Sequence, residues 1–123
     1  MPLYWRIDSQ EHLVTVVAEG DVAPAEINAC LDMLDDTGFH SWRKLFDAVN
    51  GYSSMGAENA LAIAARIRDS HHRFEIGPLA IVAQAEKVEM FQRVVGALAA
   101  ADRSLRVFDD VEVARAWILA QPY

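Results

Sequence analysis

An α/β fold with a largely parallel sheet is the architecture that this 123-residue sequence predicts. Three observations carry the prediction. Strand-like and helix-like segments alternate along most of the chain, which implies crossovers onto one sheet. The first two strand-like segments, "LYWRI" and "HLVTVVAEG", adjoin through the short polar link "DSQE", which suits a hairpin. The run "GPLAIVAQ" is apolar without interruption and of strand length, as expected of a central strand buried on both faces.

Taken in order, Leu3 to Ile7 and His12 to Gly20 are rich in β-branched and aromatic residues and read as two strands. In "PAEINACLDMLDD", Pro24 stands at a first helical position, and Ile27, Cys30, Leu31 and Leu34 recur at spacings of three and four. That spacing predicts an amphipathic helix with an acidic outer face, closed by Gly38. Trp42 to Val49 reads as a third strand, followed by an Asn50-Gly51 turn. The alanine-rich "MGAENALAIAARIRDSHHR" is a helix by propensity, and its small residues suit close approach to a sheet. Gly77 to Gln84 is the central strand, and Val88, Phe91, Val94, Val95 and Leu98 mark one side of a further helix. "SLRVFDD" is the last strand, after which Asp109 or Asp110 caps a final helix with Val113, Ala114, Trp117 and Ile118 as its inner stripe. The order is ββαβαβαβα, with right-handed crossovers and an antiparallel N-terminal hairpin. Nothing marks an interdomain linker, so one domain over residues 1–123 is expected.

Composition narrows the function. Eighteen acidic residues against eleven basic ones give a formal net charge of −7, the wrong sign for counterion-driven nucleic-acid binding. The apolar runs fall short of the ~20 residues of a membrane span, and "MPLYWRIDSQEH" does not have the pattern of a signal peptide. A cytoplasmic protein is expected. Cys30 is the single cysteine and sits on an apolar helical stripe, where an inert buried thiol belongs. No nucleophile elbow, glycine-rich phosphate loop or metal-ligand spacing is legible. The residues therefore predict no enzyme activity, no cofactor and no metal site.

Two surface features stand out. Glu19, Asp21, Asp47 and Asp109 fall at strand ends, near the carboxyl edge where open α/β sheets place ligands. Beside them lie Asn50, Tyr52, Ser53 and Ser54, ahead of the second helix. A serine at a helix N-terminus caps unpaired N–H groups, and the same position stabilises a phosphate, so position alone supports both a cap and a switch. Arg66, Arg68, His71, His72 and Arg73 form a basic patch at the C-terminal end of that helix, complementing its macrodipole and offering a contact to an acidic partner or a second copy. Trp5, Trp42 and Trp117 read as core residues, with Trp5 on the edge hairpin partly exposed and the edge itself a natural dimer seam.

The segments "VTVVAEGDV", "WRKLFDAV" and "LAIVAQ", and above all "RVFDDVEVARAWI", resemble those of the SpoIIAA-like proteins of the STAS superfamily (sulfate transporters and anti-sigma factor antagonists) over nearly the full length. The resemblance implies a STAS-type sandwich and a regulatory, protein-interaction role. It also implies two alternatives: a carrier of an apolar or lipid-like small ligand, as in Sec14-type domains, and an antagonist switched by phosphorylation of a serine in an Asp-Ser-Ser-Gly turn. Ser53 and Ser54 can be laid on that serine pair, but Tyr52 replaces the aspartate and Met55 precedes Gly56. These departures favour the cap. The expected role is a non-enzymatic interaction domain with a protein partner, able to form a homodimer, whose working surface spans Asp47, Asn50, Tyr52, Ser53 and Ser54.

Overall fold

The computed structural model describes residues 2–89, 92–93 and 104–123. Its strands are β1 (Leu3–Asp8), β2 (Leu13–Asp21), β3 (Arg43–Tyr52), β4 (Leu79–Val82) and β5 (Leu105–Phe108), joined in one sheet in the order β1-β2-β3-β4-β5. The pair β1–β2 is antiparallel and every other pair is parallel. The helices are α1 (Pro24–Thr37), α2 (Ala57–Arg73) and α3 (Val111–Leu119). Of the helix expected after β4, Phe91, Val94, Val95 and Leu98 lie outside the described residues.

Local chemistry sets these boundaries. The Asp8 carboxylate accepts from the backbone N–H of Gln10 and of Glu11, both at 3.1 Å, closing the β1–β2 turn. Pro24 opens α1, and Gly38, at φ +74°, ends it by donating its N–H to the Leu34 carbonyl. Asp110 caps α3 by accepting from the N–H groups of Glu112 and Val113.

The sheet is covered on both faces. On one, Leu13, Leu45, Ala80, Val82 and Phe108 pack against Ala114 and Ile118 of α3, with Trp117 half-buried beside them. On the other, Leu3, Val14, Val16, Ala18 and Val22 pack against Cys30 of α1. Within β2, Leu13 lies in the first cluster and its neighbour Val14 in the second, followed there by Val16 and Ala18, as a strand's period of two requires. Complete burial of a side chain such as Leu13 or Ile118 contributes about 1.5–3 kcal/mol.

Three expectations are corrected here. Asn50-Gly51 is not a turn: β3 runs through it to Tyr52, paired with β2 as Glu19↔Asn50, Gly20↔Gly51 and Asp21↔Tyr52. A Cβ on Gly51 would collide with the Ala18 side chain, so the glycine serves a close approach between strands, next to the register shift between Val17 and Glu19. Val113 is 56% exposed and belongs to the outer face of α3, because the short helix turns Ala114, Trp117, Ile118 and Leu119 toward the sheet. Finally, α2 packs chiefly on α1 rather than flat on the sheet, and Ile63 is its buried residue.

Candidate functional site at the carboxyl end of the sheet

The unequal lengths of the strands build this site. The β3–β4 ladder ends at Asp47↔Val82, whereas β2 and β3 stay paired to Asp21↔Tyr52. Glu19–Asp21 and Asn50–Tyr52 therefore project as a two-stranded tip. Asp47 sits where β4 stops, half-buried, its carboxylate accepting from the Val49 N–H at 3.2 Å. The Gln84 side-chain amide donates to the Val49 carbonyl at 2.9 Å, covering part of the β3 edge that β4 leaves. Asn50 is exposed, and Tyr52 at the end of the tip is 60% exposed.

Beyond Tyr52 the chain is stapled back to the β2–α1 junction. Val22 N–H donates to the Tyr52 carbonyl (2.8 Å), and the Ser53 hydroxyl donates to the Val22 carbonyl (2.8 Å). The Asp21 carboxylate receives the Ser54 hydroxyl at 2.6 Å on one oxygen and the Ser54 N–H at 2.9 Å on the other. These bonds hold the Asp21 carboxyl below its ordinary pKa, the hydroxyl contributing most and the amide next. Neither serine caps α2. The helix begins later, at Ala57, with Gly56 as its N-cap and no side-chain capping bond. The continuation of β3 through Tyr52 moves the serines off the helix start, and they bond to the end of β2 instead. From Ala57 to Ala62 the helix is exposed throughout, with Leu61 70% exposed.

The basic patch divides. Arg66 turns toward α1, donating to Asp32 (2.7 Å), Asp35 (2.9 Å) and the Asn28 side chain (3.0 Å). Arg73 pairs with Asp69 at 3.3 Å and lies over the Phe74 ring. His71 Nδ1 is 2.8 Å from the Ile67 carbonyl, while Arg68 and His72 are exposed. Residues that the sequence reading left unassigned complete this region. His40 is buried, with Nε2 2.9 Å from Asp35 and its ring stacked on Phe74 at 4.2 Å. Burial lowers the His40 pKa, against the opposing pull of Asp35. Burial pushes the Asp35 carboxyl up, but the bonds from Arg66 and His40 outweigh it and leave it below its ordinary value. The signal was present in the sequence: an acidic outer face on one helix and arginines on the next, which the right-handed crossover rule expects on one side of the sheet, where α1 and α2 do meet.

Cys30 is buried, which pushes its thiol pKa up to about 11. At the amino ends of the parallel strands, His12, Trp42, Gly77, Pro78 and Tyr123 help to line an open cleft of about 580 Å³. Among the described residues, no group of three or more His, Cys, Asp or Glu side chains is placed to hold a metal ion. Nor is any helix among them long and apolar enough to cross a membrane.

An antiparallel hairpin extended by parallel crossovers, with helices on both faces, defines an α/β domain of the STAS type. A family model described as SpoIIAA-like matches residues 13–119, and the chain belongs to that family. Among solved structures it is similar to an uncharacterised protein from the DUF3478 family with a SpoIIAA-like fold from Shewanella loihica PV-4. The TM-score is 0.63 at 19% identity, over 94% of this chain and 91% of that one. A comparison with curated proteins found no match.

Proposed function

We propose that the chain is a non-enzymatic, cytoplasmic regulatory domain, a single unit over residues 1–123, that works by binding a protein partner at the β2–β3 tip and the start of α2. The observation that carries this reading is the exposure of Tyr52 (60%) and Leu61 (70%) on either side of a hydrogen-bonded clasp. Large apolar side chains on a segment already ordered lower the entropic cost of docking, and aromatic residues are favoured at interface centres. Glu19, Asp21 and Glu58 give the same end an acidic rim, which suits a partner with a basic rim.

The serine-switch reading acquires a geometric consequence. A phosphoryl group on Ser54 would displace the hydroxyl from Asp21 and place two anions together, opening the clasp. The carrier reading puts its ligand between helices and sheet. The cleft described above opens at the opposite end of the strands from the tip, and it gives that reading no particular support.

The test is affinity capture from the host's extract with purified wild-type chain and with Tyr52→Ala/Leu61→Ala. Both side chains are exposed, so the variant keeps its melting temperature. The expected result is a partner retained by wild type and reduced at least tenfold by the variant. Equal retention by both chains overturns the reading.

A further inference from the structure

The outer edge of β1 has the pattern of a strand built to pair with itself. We propose that two copies of the chain associate through antiparallel β1–β1 pairing about a two-fold axis at Trp5, joining two five-stranded sheets into one.

The register follows from the hydrogen-bond phase of the hairpin. Glu19 N–H donates to the Pro2 carbonyl at 2.7 Å, continuing the β1–β2 register in which Leu3 faces Ala18. Hydrogen-bonded pairs alternate along an antiparallel ladder. Tyr4, Arg6 and Asp8 therefore turn their backbone groups toward β2, while Leu3, Trp5 and Ile7 turn theirs outward. Among the described residues no strand lies beyond β1. Pairing Trp5 with Trp5 of a second copy places Leu3 opposite Ile7 on each side, so all the outward groups of these residues meet in six backbone hydrogen bonds. Sliding the register by two residues in either direction leaves only four.

Side chains agree with the same register. Directly opposed residues share a face. Leu3 meets Ile7, which is 41% exposed, and half-buried Trp5 meets its symmetry mate. On the other face Tyr4, 45% exposed, meets Arg6, a pairing open to cation–π contact. Sliding one way would oppose Arg6 to Arg6. The strand carries one arginine and one aspartate, so the seam is neutral on a chain of formal net charge −7. Of the usual protections against pairing the edge carries only the charges of Arg6 and Asp8: β1 has no lysine, no internal proline and no register shift against β2. Two short strands bury little area, which places the dimer at the weak, concentration-dependent end of the range.

The test combines sedimentation equilibrium with register-specific cross-linking. For wild type, the apparent mass is expected to rise from 13.7 kDa toward twice that value with concentration. Ile7→Lys, at an exposed position and counted twice by symmetry, is expected to raise the dissociation constant about tenfold or more. Tyr4 and Arg6 form a non-hydrogen-bonded pair, for which Cα atoms lie about 4.5 Å apart, within disulfide range. A mixture of Tyr4→Cys and Arg6→Cys chains is thus expected to form a mixed disulfide dimer on mild oxidation, while either variant alone stays largely uncross-linked. The buried Cys30 thiol does not compete. A wild-type chain that is monomeric at all concentrations, with no mixed disulfide, overturns the proposal. So does a dimer that is indifferent to Ile7→Lys and cross-links equally well in every combination.

Discussion

Replacing Arg66 with methionine keeps most of the aliphatic stem and removes the guanidinium that ties α2 to α1. The bonds lost are those to Asp32, Asp35 and the Asn28 side chain, at 2.7–3.0 Å, and a longer one to the Asn28 carbonyl at 3.3 Å. In a dry interior each charge-assisted bond would contribute about 1.5–3 kcal/mol. Here the Arg66 side chain is 28% exposed and its acidic partners 39% and 64%, so solvent screening reduces each ion pair to about 0.5 kcal/mol. The less exposed Asn28 contact adds about 1 kcal/mol. The expected loss is therefore about 2 kcal/mol in urea unfolding, or about 8 °C in melting temperature at roughly 4 °C per kcal/mol for a chain of this size. About half of it should vanish in 1 M salt, where the Debye length falls to about 3 Å. Hydrogen exchange should show the loss of protection concentrated in α2. A change below about 0.5 kcal/mol, or one insensitive to salt, would refute the view that Arg66 anchors the helix carrying Leu61.

Three further outcomes are expected. Ser54→Ala removes the hydroxyl bond to Asp21, so the Asp21 carboxyl, followed by NMR titration, should rise toward the ordinary value of 3.8 while the backbone bond keeps it from arriving there. The wild-type clasp is favoured above the ordinary carboxylate range and weakens as pH falls through the lowered Asp21 value. His40 titrates lower in the folded chain because it is buried, with Asp35 opposing and Lys44 and Arg73 adding to the shift. The unfolded chain then takes up the proton first, so stability present above about pH 6.5 is lost as pH drops toward the folded value. His40→Gln should flatten that segment of a urea-midpoint profile. Gly77→Ala would drive a Cβ into the backbone carbonyls of Ser41 and Trp42, and should cost about 2–4 kcal/mol or prevent folding, as read by thermal melting.

The fold class was legible because its signals are long and redundant. The hairpin, the Pro24 and Gly38 helix ends, the buried run around Ala80 to Ala83 and the Asp110 cap each follow from local chemistry, and each stands in the structure. The candidate site was read less well for one local reason. Asn-Gly between two regular elements is a strong turn signal, but here Gly51 meets Ala18 inside a ladder, and only the fold brings Ala18 there. That shift carried the serines from the helix start to the end of β2, a partner 31 to 33 residues away. The Asp35–His40–Phe74 stack was missed for a related reason, since Phe74 reaches His40 only after α2 has folded back along α1.

Docking of a protein partner on the β2–β3 tip can be read by site-directed photocross-linking. A benzophenone amino acid is placed in turn at Tyr52, at Leu61 and, as a control, at exposed Arg115 on α3. In the host the same discrete adduct is expected from Tyr52 and Leu61, suppressed by excess wild-type chain but not by Tyr52→Ala/Leu61→Ala, and absent from Arg115. No adduct at the tip, or the same adduct from Arg115, would contradict it.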